Sequence, residues 1–125
     1  CGGLMILTEG LIDAQGERWD LLGWLPGTVR MTDRPTLRYV EVRAPLFADG
    51  VGSARGHRFH YSAWDAEAAA SESFPLYEAT AWGEEPKREG VACGPHKNVW
   101  ASYVHLHLAS NEAWVRALLD RAQDV

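Results

Sequence analysis

Two cysteines and five histidines supply the thiols and imidazoles of this chain, groups that can act as nucleophile, base or metal ligand near neutral pH. The opening tripeptide Cys1-Gly2-Gly3 places a thiol directly before residues with helical spacing. A helix entrance favours a thiolate. The glycines allow the sharp turn and close substrate approach that an exposed nucleophile requires. The N–H of the following residue, Gly2, would then face an oxyanion on the attacked carbonyl. Taken alone, the tripeptide also reads as a small-residue turn. In "YVHLHL", His105 and His107 are two apart among apolar neighbours and share a face if the segment is extended. A neutral imidazole there could take a proton from a thiol and later give it to a leaving amine. In "GHRFHYS", strand alternation puts His57, Phe59 and Tyr61 on one face and Arg58, His60 and Ser62 on the other. His57 and His60 are therefore not expected to share a metal. One should be a core histidine with its nitrogen satisfied, the other a residue at a sheet edge. Cys93 and His96 show no closed-site zinc spacing, so no metal is expected, and Cys93 reads as a buried structural thiol.

These groups need elements to hold them. Leu4, Leu7 and Leu11, with Met5 and Ile12 beside them, predict a helix over 4–12, weakened at Gly10 and stopped at Gly16. "LLGWLPG" reads as a short strand closed by a Pro-Gly turn. "TLRYVEVRAP" is a strand with Leu37, Tyr39 and Glu41 on one face and Arg38, Val40 and Val42 on the other. "GHRFHYSAW", "PLYEATAW", "EGVACG" and "VWASYVHLHL" continue the strand series, and "DAEAAASES" is an exposed loop or helical turn. A terminal helix follows, capped by Ser110 or Asn111, with Glu112 in its first turn and Trp114, Ala117, Leu118 and Ala122 as its buried stripe. A helix, strands in series and a final helix make an α/β pattern. Strands without intervening helices imply a partly antiparallel sheet.

The 125 residues bound the chain to one domain with a modest core. Six tryptophans are many for that length. A net charge of −5 argues against a nucleic-acid partner. No apolar run approaches a membrane span and nothing reads as a signal peptide, so no membrane partner is expected. Two cysteines make no disulfide framework, and a reducing, cytoplasmic location is expected.

In this order, "CGGLMILTEGLID", "LPGTVRMTDRP", "RGHRFHYS" and "NVWASYVHLHLASN" resemble the C-terminal glutamine amidotransferase domain of the cobyrinate or hydrogenobyrinate a,c-diamide synthases, nearly from end to end. The resemblance implies a class I, triad-type glutaminase of flavodoxin-like, three-layer α/β fold with a mixed sheet. Glutamine would supply ammonia to a synthetase domain using ATP and Mg²⁺. That domain would amidate the a and c carboxylates of a corrin-type tetrapyrrole in cobalamin synthesis. The family's Cys-Gly-Gly-Leu-Met motif makes Cys1 the nucleophile, with Gly2 as oxyanion donor. Its Tyr-x-His-x-His motif makes His105 the base. Related amidotransferases carry a glutamate two residues after that histidine; here His107 stands there, as in the corrinoid branch, and a Cys-His dyad is the expectation. The family's "GHEFHYS" has an acid where this chain has Arg58, and His60 is a candidate for lining the site. The nucleophile lies in mid-domain in that family. Residues 1–125 are thus expected to be the C-terminal portion of a glutaminase domain lacking its N-terminal strands, poorly stable and inactive alone.

Alternatives are a non-catalytic binding module of the same fold, or an amidotransferase acting on another tetrapyrrole such as nickel sirohydrochlorin. An N-terminal-nucleophile amidotransferase also begins Cys-Gly but runs straight into a strand, against the helical spacing after Cys1, and gives the His105 region no role.

Overall fold

A computed structural model describes residues 1–47, 50–65, 74–93, 96 and 98–123, with the side chains of Phe74 and Cys93 outside the description. The expected burial of Cys93 and the form of most of "DAEAAASES" therefore lie outside the described residues.

The first helix, α1, runs only from Gly2 to Leu7. The apolar spacing that predicts a helix to Ile12 is divided between α1 and a strand, β1 (Thr8–Ile12). Two local features end the helix. Thr8 turns its hydroxyl back to the Met5 carbonyl at 2.8 Å and takes an extended backbone. Asp13 then folds β1 onto β2 (Arg18–Asp20): one carboxylate oxygen accepts the N–H groups of Gln15 and Glu17, the other the Trp19 indole N–H. Gly16, expected as a helix stop, is the left-handed residue of this hairpin turn (φ 84°).

The longest strand, β3, spans Leu25–Arg43. Pro26-Gly27, expected to end a short strand over "LLGWLPG" as a turn, instead lies near the start of this long strand. The parallel register to β1 steps from Thr8↔Leu25 to Gly10↔Thr28, so β3 carries one extra residue, with Gly27 at φ 90°. A bulge tolerates a proline that a regular ladder would exclude. A second bulge falls between Met31 and Thr36. After β3 come β4 (Ala54–Trp64), β5 (Phe74–Ala81) and β6 (Lys87–Cys93). The last apolar run is not one strand. It breaks at Ser102–Tyr103 into β7 (Val99–Ala101), which pairs β6, and β8 (Val104–Leu106), which pairs β4. A short 3-10 turn at Leu108–Ser110 leads into α2 (Glu112–Gln123). The sheet path is β2-β1-β3-β5-β6-β7, with β4 and β8 branching from β3. Only β1–β3 is parallel among the described pairs, giving the mixed α/β sheet the sequence leads one to expect.

Strand alternation is as predicted. Val40 and Val42 face a core with Ala54, Leu76, Ala79, Val104 and Trp114. Leu37, Tyr39 and Glu41 face outward, and Tyr39 is 80% exposed. A second cluster joins Leu4 of α1 to Leu25, Val29, Val91, Ala101 and Tyr103, with Cys1 and Met5 packed against it. Asn111, rather than Ser110, caps α2: its side-chain oxygen accepts the Ala113 N–H at 2.9 Å, while its amide donates to the Val51 and Ser53 carbonyls. The buried stripe of α2 is narrower than expected. Trp114 is fully buried, Ala117 and Leu118 are half-buried, and Ala122 is exposed.

Candidate active site

Cys1 caps α1, and its carbonyl accepts the first helical bond from Met5 N–H at 3.1 Å. Gly2 heads the helix in the open, where a Cβ would meet nothing within 4 Å. With six residues, α1 offers the thiol the unpaired N–H groups of one turn more than a full dipole. The Cys1 backbone nitrogen donates to the Ser102 carbonyl at 2.6 Å, across 101 positions of sequence. Its Sγ lies 3.9 Å from the Phe59 carbonyl, one residue past the last β4–β8 pair, Arg58↔Val104. The thiol thus sits where the short strand β8 leaves the edge of β4 uncovered.

His105 faces outward from β8, directly opposite His57 on β4. Their rings stack at 5.0 Å with planes 9° apart. Partial burial is the main cause lowering the His105 pKa below the ordinary 6.5, with the positive charges of His57 and His60 acting in the same direction. His107 is not part of that stack. It is exposed, and its backbone N–H binds the Arg55 carbonyl at 2.8 Å as the chain enters the 3-10 turn. Strand parity groups His57 with Phe59 and Tyr61, but only the pairing of β4 with β8 brings it to His105. Sequence reading alone had no means of pairing those strands.

His60 behaves as the satisfied histidine of the pair. Its Nδ1 is 2.7 Å from the Ser62 carbonyl, which fixes the proton on that nitrogen. Its ring stacks on Tyr103 at 3.9 Å, and the Ser62 hydroxyl donates to the Tyr103 hydroxyl at 3.0 Å. Burial is again the main cause lowering the His60 pKa, opposed by its bond to Ser62 and by Glu89. Arg58, where the resemblance leads one to expect an acid, forms an ion pair with Glu89 of β6 at 3.2 Å. Among the described residues, no group of three His, Cys, Asp or Glu side chains is arranged to hold a metal ion. No described helix is long and apolar enough to cross a membrane.

This arrangement holds a thiol, a neutral imidazole and the free N–H groups of a helical first turn at one sheet edge. That set suits attack on a carbonyl with proton transfer to the leaving group.

Comparison with known proteins gives this geometry a context. The model of the CobB/CobQ-like glutamine amidotransferase domain matches residues 1–113. The chain is 39% identical over 131 residues to cobyrinate a,c-diamide synthase of Syntrophotalea carbinolica, a match covering 96% of this chain and 27% of that protein. It is 38% identical over 127 residues to hydrogenobyrinate a,c-diamide synthase of Pseudomonas aeruginosa, covering 99% of this chain and 26% of the other. With cobyrinate a,c-diamide synthase of Priestia megaterium the identity is 36% over 124 residues, covering 92% and 25%. The chain spans about a quarter of the length of these relatives.

Proposed function

Because the chain belongs to the CobB/CobQ-like glutamine amidotransferase domain family, we propose that it releases ammonia from glutamine, with Cys1 as nucleophile and His105 as base. The observation that carries this reading is that the Cys1 thiol lies against the Phe59 carbonyl of β4, two residues along that strand from His57, whose ring stacks on His105. The thiol proton passes to His105. The thiolate adds to the glutamine side-chain carbonyl, and the resulting oxyanion is held by the Gly2 N–H. As the C–N bond breaks, protonated His105 returns its proton to the leaving nitrogen, and ammonia departs from a thioester. Water, deprotonated by His105, cleaves the thioester to glutamate and restores the thiol. His60, with its proton held on Nδ1, lines the site and presents Nε2 as an acceptor.

The names of the relatives support an acceptor of the cobyrinate or hydrogenobyrinate type, whose a and c carboxylates become amides. Carboxylates must be activated before ammonia can attack them. ATP and Mg²⁺ would serve that step in a synthetase unit outside residues 1–125, in the cytoplasm. Within these residues the reaction needs no resident cofactor or metal.

The test is Cys1→Ser in the protein that carries this chain. Glutamate release and glutamine-dependent amide synthesis should both vanish, and synthesis from free ammonia should remain. A serine variant that still hydrolyses glutamine at a comparable rate removes Cys1 from the mechanism. Glutamine binding without hydrolysis by the parent protein would favour a non-catalytic module.

A further inference from the structure

Glu89 projects from β6 into the space behind the site, with its side chain only 12% exposed. One carboxylate oxygen pairs with Arg58 of β4, itself 19% exposed, at 3.2 Å. The other accepts from the Ser102 hydroxyl at 3.3 Å and from the Tyr103 backbone N–H at 3.4 Å. Those two residues are the bend between β7 and β8. The Ser102 hydroxyl also accepts the Val104 N–H at 2.9 Å, and the Ser102 carbonyl accepts from Cys1 at 2.6 Å. Cys1 is therefore hung on one side of the bend, and His105 begins two residues beyond its other side.

A bend between two short strands has little backbone pairing of its own, so its shape depends on such side-chain anchors. An apolar or smaller residue at 89 would leave the Tyr103 N–H and the Ser102 hydroxyl without this acceptor. It would also strand the Arg58 guanidinium, whose Nε already lacks a partner among the described residues. We infer that Glu89, held by Arg58, is a positioning residue that fixes the Cys1–His105 geometry through the Ser102–Tyr103 bend. It does not touch the thiol or the imidazole. His107, two residues after His105, is exposed and held through its backbone N–H to the Arg55 carbonyl, so the orienting role is assigned to an acid from another strand. This inference rests on the roles proposed for Cys1 and His105.

The test uses the protein that carries this chain, two variants and three readouts. Glu89→Ala removes acceptor and charge. The double variant Arg58→Met, Glu89→Gln removes the charge pair but keeps an oxygen for the Tyr103 N–H. The readouts are the thermal transition, the rate at which iodoacetamide alkylates Cys1 (located by peptide mass, which separates it from Cys93), and kcat and KM for glutamate release. In Glu89→Ala, alkylation and kcat should fall on the order of 10- to 100-fold, as for a small misplacement of reacting groups, with KM changed far less. The double variant should recover to within about threefold, since the acceptor that shapes the bend is kept. Parental alkylation in Glu89→Ala would overturn the inference. So would a double variant that folds with the parental transition yet alkylates as slowly as Glu89→Ala. If Glu89→Ala does not fold, the double variant decides by the same criterion. Slowed alkylation in a protein that never hydrolyses glutamine would defeat the proposed activity and leave the positioning role standing.

Discussion

At the scale of single residues, the histidines carry the sharpest expectation. Burial, together with the positive charges of His57 and His60, lowers the His105 pKa below 6.5. A lowered value keeps the base neutral further into acid, so the acid limb of kcat/KM for glutamine should lie below pH 6.5. His57→Phe keeps a stacked ring but removes one of the charges, and should shift that limb upward. An unmoved limb would mean that the His57 charge is not felt at the base. His105→Ala should cost about 10²-fold or more in glutamate release, as for loss of a general base, and His107→Ala should cost less. Larger losses at His107 would transfer the role to that residue. The linkage to stability has the same sign for His60 and His105. Both bind protons less readily when folded, so the native state loses stability as pH falls below 6.5 through their lowered values.

At the scale of elements, β8 is only three residues long, and its place against β4 depends on Gly56. A Cβ there would lie 2.6 Å from the His105 carbonyl and 2.8 Å from a Val104 methyl. The first of these neighbours is backbone and cannot rotate away. Gly56→Ala should therefore push β8 outward, destabilising the protein by about 1–3 kcal/mol and lowering glutamate release through displacement of His105. Denaturant unfolding and steady-state rates would check both. An alanine variant with parental rate would show that the β4–β8 contact does not position the base. The β7–β8 break is equally a matter of elements: the run "VWASYVHLHL" has no turn glycine or proline. Its bend is made by Ser102 and Glu89 through hydrogen bonds that no local pattern announces.

At the scale of the whole molecule, two clusters divide the work. One holds α1 and the thiol, and the other anchors α2 through Trp114. Trp114 is wholly buried, packs edge-on to Phe47 at 4.9 Å and donates its indole N–H to the Gly52 carbonyl at 3.1 Å. Trp114→Ala should cost about 3–5 kcal/mol of unfolding free energy, as for other large aromatics removed from cores. Leu119→Ala, on the exposed side of the same helix, should change it by less than about 0.5 kcal/mol. Urea titration of both would test whether α2 is held by its first turn. Equal losses would show a broader helix interface.

The sequence by itself determined the strand faces, the alternation of "GHRFHYS" and of "TLRYVEVRAP", the capped terminal helix and the residue types at the site. Each of these follows from a period or a cap readable over a few neighbours. It also carried the family, because four motifs in order are far more specific than any one of them. Only the tertiary structure decided where α1 stops, since Leu7 and Leu11 keep helical spacing while Asp13 and Gly16 fold the chain back. Only it placed Pro26-Gly27 in a bulge, set His57 rather than His107 against His105, and joined Arg58 to Glu89 across 31 positions. Those outcomes depend on which strands pair and in what register. Pairing is settled by hydrogen bonds and burial between segments far apart in the chain, to which local spacing is blind.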